Sequence, residues 1–149
     1  MTIWLDNARC AATDVPLSPG MEPPLGSHLV SPRRFYVHHG IYVGGGHVVH
    51  YPGLGNGLRR GPVIEVSLEL FAGGHRVSVR DSVRIFDPGE IVTRARSRLG
   101  EDCYRILTNN CEHFCTWVLR DEGWSWQVQA LRTILGPFSR ALRGSYTSR

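Results

Sequence analysis

The rhythm of apolar and polar positions changes once along this chain. Residues 35–43, Phe-Tyr-Val-His-His-Gly-Ile-Tyr-Val, are dense in aromatic and β-branched side chains and read as a strand. Gly44-Gly45-Gly46 supplies a turn, and His47 to Tyr51 a second strand, so the pair is a hairpin by pattern. Residues 52–62 are a glycine-rich loop. Residues 63–71, VIEVSLELF, alternate like a strand, and residues 76–87 hold two short ones, RVSVRD and VRIFD. From Pro88 the period lengthens. Ile91, Val92, Ala95 and Leu99 recur at helical spacing, with proline at the start and Gly100 just past the end. Residues 104–110 form a connector or short strand. Cys111 to Leu119 reads as a second helix capped by Asn109 or Asn110, and Trp124 to Leu135 as a third, ended near Gly136-Pro137. The first 30 residues, rich in proline, glycine and polar side chains, read as an extended arm or loops with one short strand. Strands first and helices after predict an α+β domain.

Length and composition narrow the class. A chain of 149 residues suits one domain and buries a core without metal or disulfide help. We divide it into an N-terminal arm (1–24), a core (25–122) and a C-terminal helix with a basic tail (123–149). An apolar fraction of 42% with 20% charged residues excludes a disordered or membrane-embedded chain. The N-terminus lacks a basic segment followed by an apolar run, and no stretch approaches the roughly 20 apolar residues that span a bilayer. The expectation is a cytoplasmic protein that at most lies on a membrane. Without an export signal, Cys10, Cys103, Cys111 and Cys115 are expected as free thiols. The net charge of +4 suits an anionic lipid surface or a phosphate-bearing substrate, and equally a plain solvated surface. Nothing beyond that charge supports nucleic-acid binding. The final stretch mixes apolar residues with Arg132, Arg140, Arg143 and Arg149, and reads either as a weak interfacial anchor or as a frayed basic terminus.

Two features carry candidate chemistry. Cys111 opens a helix, where the dipole and nearby backbone N–H groups favour the nucleophilic thiolate; a small buried hydrophobe is the plainer reading. His38, His39, His47 and His50 crowd the hairpin. With a three-residue turn, Gly40 sits opposite His50, and His38 and His50 lie diagonally on one face, about 7–8 Å apart. With a turn one residue shorter, Ile41 sits opposite His50 and His39 becomes its same-face partner. A thiol at a helix start with a paired imidazole on a strand suits a thiol hydrolase or acyltransferase. A zinc site from His47, His50 and Cys111 is the metal alternative; no metal or other cofactor is expected.

His38-His39-Gly40-Ile41-Tyr42-Val43-Gly44, then His50, then Asn110-Cys111-Glu112-His113-Phe114 resemble the signature of the lecithin:retinol acyltransferase family, over roughly residues 25–120. The resemblance implies an antiparallel sheet packed against helices, in a circularly permuted papain-like fold of the NlpC type, with histidines preceding the cysteine. By the same match Cys111 resembles the nucleophile, His38 the general base and His50 the orienting third member, which favours the three-residue turn. Tyr36, two residues before the base, resembles a tyrosine of related enzymes and is an oxyanion-hole candidate beside the backbone N–H of Cys111; a packing tyrosine is the alternative. His113 and Glu112 read as structural, the glutamate as a charge in the first helical turn. The implied reaction takes an acyl group from a phospholipid or other acyl ester through a thioester on Cys111 to water, an amine or an alcohol. The rivals are a peptidase or amidase of the NlpC type and a non-catalytic lipid- or protein-binding module. Two departures stand out. The turn is Gly44-Gly45-Gly46 where many relatives carry an acidic residue or asparagine, and Cys115 is an additional thiol, read as a core cysteine or a redox partner of Cys111. The context resembles bacterial or phage members.

Overall fold

The computed structural model describes residues 14–52, 61–105 and 110–121. Six strands form one antiparallel sheet: β1 (Asp14–Pro16), β2 (His28–Pro32), β3 (Val37–Gly44), β4 (His47–His50), β5 (Ile64–Ser67) and β6 (Ser78–Arg80), in the order β1-β6-β2-β3-β4-β5. The helices are α1 (Leu68–Ala72), α2 (Pro88–Ser97) and α3 (Cys111–Arg120). This is the expected α+β arrangement of an antiparallel sheet packed against helices.

The β3–β4 hairpin lies at the centre of the site. Gly44, Gly45 and Gly46 all have positive φ (90°, 60° and 76°), a run that L side chains adopt only with strain. Gly44 pairs with His47, so the turn is the shorter one, Gly45-Gly46, and a register shift between Tyr42 and Gly44 brings Tyr42 opposite Val48 and Ile41 opposite Val49; continuing that register sets Gly40 opposite His50, the alignment expected from the longer turn. The alternation then sorts the sheet's two faces. Ile41, Val43, Val49 and Tyr51 pack against Ile91 and Ala95 of α2 and Phe114, Cys115 and Val118 of α3. On the reverse, Leu29, Tyr42 and Val48 meet Phe71 of α1 and Val77. Arg94 of α2 donates to the carbonyls of Trp117 and Val118, covering the last turn of α3 and tying the two helices together.

Three elements differ from the sequence pattern. The run 63–71 is a strand only to Ser67. The Ser67 hydroxyl then accepts from the Leu70 N–H, and the left-handed Gly73 closes the short helix α1. A side-chain cap and a glycine stop override an alternation that suited either element. Among the described residues the stretch 83–87 pairs with no strand; its Ile85 N–H donates to the Leu119 carbonyl at the end of α3. Within the stretch read as an arm with one short strand, the structure places both β1 and the start of β2, and β2 is interior to the sheet. Asn109 and the third helix at 124–135 lie outside the described residues.

Candidate active site

β3 and β4 present two histidines to one another. Nε2 of His38 lies 2.7 Å from Nδ1 of His50, with the rings at 83°. Phe71 supports both: it stacks on His38 at 5.0 Å between ring centroids and meets His50 edge-on at 5.4 Å. Gly40 makes this possible, because a Cβ there would come within 2.6 Å of Val48 Cγ1 and 2.8 Å of Phe71. Both imidazoles are buried. Burial foremost, then the charges of His50 and Arg33, lowers the pKa of His38 to about 3. Burial and Arg33 lower that of His50 to about 4, partly opposed by a hydrogen bond to the backbone of Tyr51. Nδ1 of His38 is buried and is the only such side-chain nitrogen or oxygen among the described residues without a hydrogen-bond partner.

α3 delivers the thiol. Asn110 is the cap: its side-chain oxygen accepts from the N–H groups of Glu112 and His113, each at 3.0 Å. It also lies 2.9 Å from Nδ1 of His113, so His113 braces the cap, as its structural reading anticipates. The buried Cys111 Sγ makes a long contact, 4.0 Å, with the carbonyl of Val37, and the backbone N–H of His39 bonds to it. The sulfur thus rests on the β3 backbone at the residues that flank His38. At this thiol burial opposes the helix terminus, in line with the plainer of its two readings. Desolvation dominates, and although backbone N–H groups of His39, Glu112 and Cys111 favour the anion, the thiol is pushed up to about 11.

Tyr36 stands edge-on to His38, 6.1 Å between centroids, and within electrostatic reach of Cys111; burial foremost raises its pKa, which keeps the phenol protonated as a donor. The metal alternative does not assemble. His47 is exposed with Nδ1 2.8 Å from the Gly45 carbonyl, while His50 is buried against His38. Residues three apart on a strand face opposite sides. Cys115 is buried in the core beneath Cys111, and neither is in a disulfide.

Sequence reasoning missed several residues around the site. Phe71 supports both imidazoles, and Arg33 joins β2 to α1 by donating to the Phe71 carbonyl at 2.8 Å. On the opposite face of β3, His39 forms a second buried pair with His28 at 2.8 Å, and His28 reaches Ser82 at 2.7 Å. The one available signal was alternation, which puts His39 on the face opposite His38.

The family profile described as lecithin retinol acyltransferase matches residues 21–123. Among characterised proteins, "Phospholipase A and acyltransferase 4" of Homo sapiens is 29% identical over 136 residues, covering 80% of this chain and 83% of the human protein.

Proposed function

The chain belongs to the lecithin retinol acyltransferase family, and from that premise we propose that it is a thiol-dependent phospholipase A and acyltransferase working through Cys111, His38 and His50. The observation that supports this reading is the seat of the Cys111 sulfur on the β3 backbone at Val37 and His39, the residues that flank His38, whose buried Nδ1 is unpartnered. The human relative's name, a phospholipase A and acyltransferase, supports the substrate class.

The mechanism uses the tautomer of His50 that carries its proton on Nε2. Nδ1 of His50 is then an acceptor for the N–H at Nε2 of His38, and Nδ1 of His38 keeps a lone pair. At neutral pH the resting pair is a neutral thiol and a neutral imidazole, so proton transfer accompanies attack. His38 Nδ1 takes the thiol proton as sulfur bonds to the ester carbonyl carbon. The N–H of Cys111 and the phenol of Tyr36 donate to the developing oxyanion. The tetrahedral centre collapses, the C–O bond breaks, and the proton on His38 passes to the departing lysophospholipid oxygen. The thioester on Cys111 is then cleaved by water, releasing a fatty acid, or by an amine or alcohol, which keeps the acyl group.

The test is release of fatty acid and lysolipid from phosphatidylcholine vesicles by the wild type and by Cys111→Ala. Release by the wild type alone supports the reading. Undiminished release by Cys111→Ala, or cleavage of peptide amides in place of lipid esters, overturns it.

A further inference from the structure

The turn that joins β2 to β3 carries an apolar side chain that packing does not explain. Phe35 is 87% exposed, one residue before Tyr36 and three before His38. Its immediate company is cationic: the Arg34 guanidinium lies 5.2 Å from the ring centroid. Arg33 fastens the turn to α1 by donating to the Phe71 carbonyl, and the neighbouring Leu70 is 70% exposed. Ser31 donates to the Arg76 carbonyl at 2.8 Å, which brings a third arginine to the same edge. Along residues 31–38 and 68–77 the acidic complement is Glu69 alone. Among the described residues, the ion pairs use neither Arg34 nor Arg76.

From these observations we infer that the Arg33–Tyr36 turn, with Leu70 of α1, is the surface by which the protein docks on an anionic lipid bilayer. Phe35 and Leu70 enter the interface, and Arg34 and Arg76 meet lipid phosphates. An exposed aromatic flanked by cations is the composition that combines apolar burial with attraction to anionic lipid. The place is as telling as the composition, because the turn leads directly into the strand that bears His38. Docking there would set the site against the surface that holds the ester. The inference rests on the lipid-ester reading of that site, and its test is kept independent of the chemistry.

The experiment is co-sedimentation of the full chain, carrying Cys111→Ser so that no acyl transfer intervenes, with two kinds of vesicle. One is phosphatidylcholine alone and the other a mixture of phosphatidylcholine and phosphatidylglycerol. Phe35→Ser is expected to lower partitioning by about tenfold or more on both, from the loss of aromatic burial. Arg34→Ser is expected to lower it about fivefold on the anionic vesicles only. Phe35→Trp, a conservative change at an exposed position, should keep binding, and its added indole should be quenched by brominated lipid. Binding of Phe35→Ser equal to that of its parent, a bound but unquenched indole, or a parent that binds neither vesicle would overturn the inference. Failure of thioester formation would leave these readouts unchanged.

Discussion

His38 and His50 share a hydrogen bond of 2.7 Å through Nε2 of one and Nδ1 of the other, while Nδ1 of His38 is left buried and unpartnered. The bond holds the His38 ring by one nitrogen and reserves the other. Twelve residues of sequence separate the pair, and three successive glycines in the left-handed region bring them together.

The two histidines therefore differ in what their removal does. His38→Ala takes away the proposed base and is expected to lower kcat for ester hydrolysis about 10²–10⁴-fold. His50→Ala leaves the base without its orienting partner and is expected to fall between that variant and the wild type. His50→Asn, whose amide oxygen accepts in place of Nδ1, should recover part of the loss. Full kcat in His38→Ala would remove His38 from the mechanism.

Gly40→Ala tests the packing beneath the pair. The added methyl would press on Val48 and Phe71, and such overpacking costs about 1–3 kcal/mol. Urea midpoints should fall accordingly. Activity should fall as well, because Phe71 is the surface on which His38 stacks. A variant as stable and active as the wild type would show that Phe71 yields freely.

Stability should depend steeply on acid. Burial, the leading cause at each, lowers the pKa values of His28, His38, His39 and His50. Above about pH 6.5, the ordinary histidine value, these groups are neutral whether the chain is folded or not, and their contribution is fully present. As pH falls below 6.5 the unfolded chain takes up protons that the folded one refuses. Stability is then lost at up to about 1.4 kcal/mol per pH unit per histidine. For His50 the loss continues to about pH 4 and for His38 to about pH 3. Urea midpoints at pH 7.5, 6 and 5 should decline, with the steeper drop in the second interval. A flat series would mean that the four imidazoles take up protons in the folded protein as readily as in the unfolded chain.

The sequence reading was strongest where one local signal decided the outcome. Proline at the start of α2, Asn110 before Cys111 and the glycine triplet each mark a boundary that the structure keeps. It failed at 63–71, where strand alternation and a serine-capped helix share the same letters, and at 83–87, where Val83 and Ile85 suggested a strand that finds no partner among the described residues. The pairing of His38 with His50 was legible as one of two registers, and the irregularity between Tyr42 and Gly44 that produces it, after the shorter turn, was not. The roles of Phe71 and Arg33 were not legible, because each acts on an element remote in sequence. Nor was the raised thiol pKa, since the helix terminus favours the anion and only burial, a tertiary property, reverses the sign.

The thiol's resting state can be read by alkylation. With Cys111 pushed up to about 11, iodoacetamide should react slowly at pH 7 and about tenfold faster for each unit toward pH 11. The exposed Cys103 would mask this and is replaced, together with Cys10, by serine for the measurement. A rate already at its plateau below pH 8 would mean a thiolate–imidazolium pair at rest.

The proposed mechanism stands or falls on the covalent intermediate. Intact-protein mass spectrometry after a rapid quench with phosphatidylcholine vesicles measures it directly, with wild type and Cys111→Ala compared. The predicted result is an acyl adduct on the wild type that maps to Cys111, is removed by neutral hydroxylamine, and is absent from the variant. An adduct that persists in Cys111→Ala, or lipid turnover by that variant at the wild-type rate, would contradict it.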